Sequence, residues 1–223
     1  MKKLSVVLCL LLLMFMFGAC EKVAEEQPTT GQEVAEAPVD VPVEAPEEEP
    51  TEETTLLPFT QNLCFWFSSG AGAWRTELLL SPDGTFSGEF SDSDMGVTGE
   101  AYPNGTMYTC VFSGNFENIE KQADGSYSMT LGTLETEVEP GTEWIEDGIL
   151  HIASGAYGLE SADEGSGAVT GEHFVLYPPE TEVSGLDEEF LMWWPERFAE
   201  PVPQSLGMYG IWGIEPQTGF FAW

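Results

Sequence analysis

Trp74-Arg75-Thr76-Glu77-Leu78-Leu79-Leu80 and Thr85-Phe86-Ser87-Gly88-Glu89-Phe90 flank the tetrapeptide Ser81-Pro82-Asp83-Gly84. In the first run Trp74, Thr76, Leu78 and Leu80 share one face, opposite Arg75 and Glu77, with Leu79 interrupting the polar side. In the second, Phe86, Gly88 and Phe90 alternate with Thr85, Ser87 and Glu89. A period of two is the signature of a strand with one buried face. Pro and Gly stand where a tight turn needs them. The stretch predicts a β-hairpin, and that hairpin sets the fold class.

The same pattern continues on both sides. Leu63-Cys64-Phe65-Trp66-Phe67 is a short aromatic-rich run, read as a strand buried on both faces. Ser91-Asp92-Ser93-Asp94-Met95-Gly96 reads as a loop, and Thr106 to Asn115 as a strand carrying Tyr108, Cys110 and Phe112 on one face. Asp124-Gly125 precedes Tyr127, Met129 and Leu131 at spacing two, and Asp147-Gly148 precedes a strand at Ile149 to Ile152. Phe174 to Tyr177, Met208 to Ile214 and Phe220 to Trp223 are further strand candidates. Asp187-Glu188-Glu189 puts acids at the start of a two-turn helix that Pro195 ends, long enough to plug one end of a barrel. Gly155 to Gly171 is Gly-rich and acidic and reads as a loop. Short strands with regular turn signals predict an all-β domain, an antiparallel meander closed or nearly closed into a barrel with one short helix in the C-terminal third.

The N-terminus has another character. Lys2 and Lys3 precede an uncharged apolar run of 14 residues, Leu4 to Phe17, which ends in Gly18-Ala19-Cys20. The run is shorter than the roughly 20 residues of a membrane-spanning helix, and residues 1–19 read as an export signal. Phe17-Gly18-Ala19-Cys20 resembles the bacterial lipobox, with Phe17 where Leu is usual. The resemblance implies that Cys20 takes a diacylglycerol, is acylated as the new N-terminus, and anchors the chain to the outer face of the cell membrane. Residues 20–55 hold 12 acids against one base, Lys22, and no aromatic residue. Such a segment buries too little apolar surface to offset the entropy of ordering, and is expected to be an extended, disordered tether. Residues 56–223 then form one domain.

That domain carries 27 acidic residues against Arg75, Lys121 and Arg197, a net charge near −24. A field of that sign repels phosphate backbones and excludes nucleic acid as a partner. With Cys9 in the signal and Cys20 lipidated, Cys64 and Cys110 remain. In an exported protein they are either a disulfide or two free thiols. A bond would close about 47 residues, a loop worth roughly 4 kcal/mol of chain entropy.

Gly72-Ala73-Trp74 resembles the Gly-x-Trp of lipocalins and other calycins, where the Trp packs across the closed bottom of an eight-stranded barrel. The domain as a whole is similar to a set of uncharacterised lipoproteins from anaerobic Gram-positive bacteria. The segments that carry this likeness are Phe67 to Trp74, Asp92 to Gly96, Tyr102 to Thr106, Tyr157-Gly158-Leu159 and Glu188-Glu189-Phe190-Leu191. That set implies a lipocalin-like domain and brings no established activity with it.

No motif assigns a reaction. His151 and His173 lie far apart in sequence, and no Gly-x-Ser-x-Gly elbow accompanies them. Two dispersed histidines do not make a zinc site. Asp92 and Asp94 are weak candidates for calcium, since the surrounding loop departs from the EF-hand pattern and Asp and Ser form turns by themselves. The remaining lead is aromatic: Trp66, Trp74, Phe86, Phe90, Tyr108, Phe112 and Tyr127 are candidates to line a cavity for a small or hydrophobic ligand. The expectation is a monomeric, lipid-anchored, non-enzymatic carrier that needs no cofactor. The alternatives are a surface module contacting a protein or glycan without a cavity, and an extracytoplasmic hydrolase using paired carboxylates.

Overall fold

The computed structural model describes residues 55–160 and 171–222. The signal, Cys20 and the tether up to residue 54 lie outside the described residues, as do Asp163, Glu164 and Trp223. Among the described residues there are ten strands, β1 Leu63–Ser68, β2 Trp74–Leu80, β3 Thr85–Asp94, β4 Thr106–Lys121, β5 Tyr127–Thr136, β6 Glu143–Glu146, β7 Ile149–Ala153, β8 His173–Tyr177, β9 Tyr209–Gly213 and β10 Thr218–Ala222, and one α-helix, α1, at Glu188–Trp193.

Eight of the strands close into an antiparallel barrel in the order β1-β2-β3-β4-β5-β8-β9-β10, with Trp66 of β1 facing Phe221 of β10 at the seam. This is the expected lipocalin-like meander. The β2–β3 hairpin has the expected register, Leu80 opposite Phe86 and Trp74 opposite Asp92. Its turn is closed by the Gly84 N–H donating to the Ser81 carbonyl at 3.0 Å. Asp83 Oδ1 accepts from both the Thr85 N–H and its hydroxyl.

The interior is filled by inward-facing residues of the eight barrel strands, among them Phe65, Phe67, Leu78, Leu80, Phe86, Phe112, Leu131, Phe174 and Phe220. Position 88 shares the inward face of Phe86 and Phe90, and it is glycine there because a Cβ would strike the Phe112 ring and the Glu77 carbonyl. The period of two thus holds across it without a side chain. One end is covered by the segment before β1. The Leu56 and Leu57 N–H groups donate to the Pro82 carbonyl, and Leu57 and Phe59 are buried, the Phe59 ring meeting Tyr209 edge-on.

Several expectations need correction. The run at 63–67 is not buried on both faces: Phe65 and Phe67 point in, while Cys64 and Trp66 point out. β3 runs through the supposed loop to Asp94, because Asp92 and Asp94 keep their pairing to Tyr108 and Thr106 of β4. β4 continues to Lys121, past irregularities after Asn115 and Glu117 that re-register it against β5. β6 had not been expected. The helix does not plug the barrel. Phe190 and Trp194, one turn apart, pack with Trp212, Phe221, Leu206 and Met208 on the outer wall of β9 and β10. Asp187 caps α1 by accepting the Glu189 N–H at 2.8 Å. The wall there is apolar on both sides, so Phe220 and Ile211 serve the barrel while Phe221 and Trp212 serve the helix.

Of the two alternatives for the cysteines, the disulfide is not formed. Cys64 and Cys110 are both free. Cys64 points outward from β1 and Cys110 inward from β4, three strands away in the ladder. At about 4.8 Å per strand this exceeds the roughly 7 Å that a bridge spans between Cα atoms. Burial, and secondarily the charge of Glu160, push the Cys110 thiol up to about 11. In the folded chain carrying Cys20→Ser, a thiol reagent at neutral pH is expected to modify Cys64 rapidly and Cys110 only on denaturation. Rapid modification of both in the native state would contradict this packing.

Candidate functional site

The mouth of the barrel opposite Leu57 and Phe59 is occupied by the chain itself. From β7 the backbone turns inward, and Ala156 and Leu159 are fully buried in the barrel core. Two inward-facing threonines hold this segment. The Thr76 hydroxyl of β2 donates to the Tyr157 carbonyl at 2.7 Å, and the Thr218 hydroxyl of β10 donates to the Gly158 carbonyl at 2.6 Å. Gly158 has φ +97°, and a Cβ on it would lie 2.6 Å from the Phe67 ring and 2.9 Å from Phe220. Only glycine permits both the backbone turn and that approach.

The Tyr157 ring lies across this end with 49% of its surface exposed. Its ring centre is 5.2 Å from Trp74, 5.3 Å from Phe90 and 5.6 Å from Phe67. Trp193 reaches round from α1 to meet Phe67 at 4.7 Å, its indole N–H donating to the Gln217 carbonyl. Trp74, the tryptophan of Gly-Ala-Trp, begins β2 and packs at this barrel end against Phe67, Tyr157 and Trp193.

Six of the seven aromatic candidates pack in or against one core, and Trp66 does not. Trp66 projects from the outer wall, 44% exposed, beneath the Arg75 guanidinium, with its indole N–H on the Cys64 sulfur; it cannot line the interior. Trp74 and Phe90 belong to the plugged end. Phe86 and Phe112 pack on one another in mid-barrel, and Phe86 also meets Phe116. Tyr108 and Tyr127 are half-buried against the same core, Tyr127 under the Lys121 ammonium.

A cleft of about 360 Å³ opens outside the barrel, between the Asp124-Gly125 turn and the segment from Tyr177 to Leu186. Tyr177, Glu180 and Glu182 line it. Burial, then the charges of Asp124 and Asp187, push the Tyr177 phenol above its usual range. Asp124 is held below the carboxylate range by the Ser126 hydroxyl and N–H, so it is ionised at neutral pH and unsuited to be a general acid. His151 stacks on Trp144 with ring centres 5.0 Å apart, and His173 accompanies Glu215 at 2.7 Å. Partial burial raises the Glu215 carboxyl, but the His173 ring and N–H outweigh it and leave it lowered. Asp94 spends Oδ1 on the Gly96 and Val97 N–H groups, and among the described residues no three His, Cys, Asp or Glu side chains converge as metal ligands.

Sequence reasoning read 155–171 as a plain loop and missed the plug. The signal was present in Ala156-Tyr157-Gly158-Leu159, an apolar tetrapeptide inside an otherwise polar stretch. It also missed β6, although Asp147-Gly148 has Trp144-Ile145 on one side as well as Ile149-Leu150 on the other. No family model, curated protein or solved structure matches the chain.

Glu160 follows the plug, half-buried. Burial pushes its carboxyl above the ordinary 4.5, with the Glu172 charge adding to this and a hydrogen bond from Ala156 opposing it. A carboxyl raised on folding favours the native state below its unfolded pKa, and that contribution is lost as pH rises through the folded value. The melting temperature of Glu160→Gln, relative to wild type, is therefore expected to rise between about pH 4.5 and neutrality. A difference that stays constant with pH would place Glu160 in solvent.

Proposed function

We propose that this chain is a lipid-anchored, extracytoplasmic interaction module that meets its partner through the outer surface of a solid barrel. The observation that carries this reading is the filled interior. Side chains from all eight barrel strands and the 156–159 segment occupy the space a carrier would give to its ligand. Packing of this kind resembles a core, and among the described residues side chains rather than a ligand fill the barrel. The small-ligand carrier is disfavoured for that reason. The hydrolase is disfavoured because the raised carboxyl, Glu160, faces the plug, while the open cleft carries Asp124 in its lowered form.

The N-terminal sequence supports the location. In this reading lipid on Cys20 ties the chain to the membrane, and the acidic segment through residue 55 links the anchor to the domain. Apolar side chains on the outer wall, Trp66, Val111 and Ile145 among them, give a partner something to bury.

Two measurements test the reading. A fluorescent fatty acid titrated into the chain from residue 20 carrying Cys20→Ser is expected to show no saturable uptake and no quenching of tryptophan. Stoichiometric uptake would restore the carrier. Cells fed radiolabelled palmitate are expected to label the wild-type chain and not Cys20→Ser; an unlabelled wild type would remove the anchor.

A further inference from the structure

Barrel closure leaves eight strands without a free edge, but the β6–β7 hairpin stands outside it. β5 pairs with β4 only from Phe112 onward, and β7 takes the vacated edge of β4 in parallel, Thr106 opposite Leu150 through Thr109 opposite Ala153. β6 then pairs with β7 and ends the sheet. All four of its residues, Glu143-Trp144-Ile145-Glu146, are exposed, Trp144 at 36% and Ile145 at 49%.

The turn fixes which backbone groups are free. Asp147 and Gly148 have φ of 50° and 74°, the left-handed pair of a two-residue hairpin. Ala153 N–H donates to Thr142 O at 2.8 Å, while Leu150 N–H donates away from β6, to Gly105 O at 3.0 Å. Bonded and non-bonded pairs alternate in an antiparallel ladder. Ile145, opposite Leu150, and Glu143, opposite Ile152, therefore turn their N–H and C=O groups outward.

We infer that β6 is a docking edge for an extended segment of a partner protein, one that adds as a strand and carries a basic–apolar–apolar–basic run. This rests on the surface-module reading and names its contact. The charge pattern selects the occupant. Glu143 and Glu146 bracket Trp144 and Ile145, with Asp147, Glu137 and Glu139 close by in the chain and Arg75, Lys121 and Arg197 as the domain's cations. Basic residues opposite the two glutamates and apolar ones opposite Trp144 and Ile145 satisfy both faces of the strand. The Glu-Trp-Ile-Glu pattern reads the same in either direction, so parallel and antiparallel partners both match. A second copy of this chain does not, since it brings Glu143, Glu146 and Asp147 near their like in a domain already near −24.

Fluorescence anisotropy tests this with a labelled peptide containing two Lys-Val-Tyr-Lys blocks, titrated with the chain from residue 20 carrying Cys20→Ser. The expected result is saturable binding with a Kd below about 100 µM, lost progressively toward about 0.5 M salt. An equivalent peptide with Glu in place of Lys is expected not to bind. Ile145→Pro removes an outward N–H and leaves the β6–β7 ladder intact. It is expected to weaken binding at least about tenfold, as is Glu143→Lys combined with Glu146→Lys, with circular dichroism unchanged. Failure of the wild type to bind, or equal binding by Ile145→Pro, overturns the proposal. If the fatty-acid probe is still refused in that case, the solid-barrel reading stands and only its docking edge is wrong; if the probe is taken up, the parent reading has failed.

Discussion

Two threonine hydroxyls bind the backbone of Tyr157 and Gly158 inside the barrel, and much of the architecture follows from that insertion. A peptide backbone drawn into an apolar barrel needs hydrogen-bond partners, because an unsatisfied buried carbonyl costs about 1–3 kcal/mol. Thr76 and Thr218 supply them from opposite sides of the β1 strand, on β2 and β10. With its carbonyls answered, the segment places Ala156 and Leu159 in the core and lays Gly158 against Phe67 and Phe220. The barrel end is thereby closed by the chain itself, under the rings of Tyr157, Trp74 and Phe90.

The outside is then organised by the two excursions from the meander. Between β5 and β8 the chain leaves the barrel to form the β6–β7 hairpin before it returns as the plug. Between β8 and β9 it leaves again to form α1, whose Phe190 and Trp194 cover the outer faces of β9 and β10. That wall is buried on both sides, which explains why all five residues of β10 are buried and why its composition is Gly- and Phe-rich. Gly219 admits Trp193, and Gly210 admits Phe190, at distances no Cβ would allow. The two excursions differ in outcome: the helix hides apolar surface, while the hairpin ends in a strand whose edge is open.

Strand alternation carried most of the fold from residues alone. The β2–β3 hairpin, the inward set Tyr108, Cys110 and Phe112, and the acid-led start of α1 all stand where local pattern places them. These are properties of period two, turn residues and helix caps, each decided within a few neighbours. Cys64 and Cys110 were not legible in this way. Their pairing depends on which face each strand presents, and one face is outward and the other inward.

By itself the sequence determined that this is an acidic chain and an all-β meander of hairpins. Composition and short-range pattern suffice for these, since charge sums and strand periods need no knowledge of what lies across the barrel. Only the tertiary structure decided that the aromatic set fills the interior, that Trp66 faces outward, and that 156–159 enters the mouth. It likewise decided that α1 lies on the wall and that β6 ends the sheet. Each of these is a contact between segments distant in the chain, as from Thr76 to Tyr157. The energies that select such contacts arise from packing and hydrogen bonding in three dimensions, and local periodicity does not encode them.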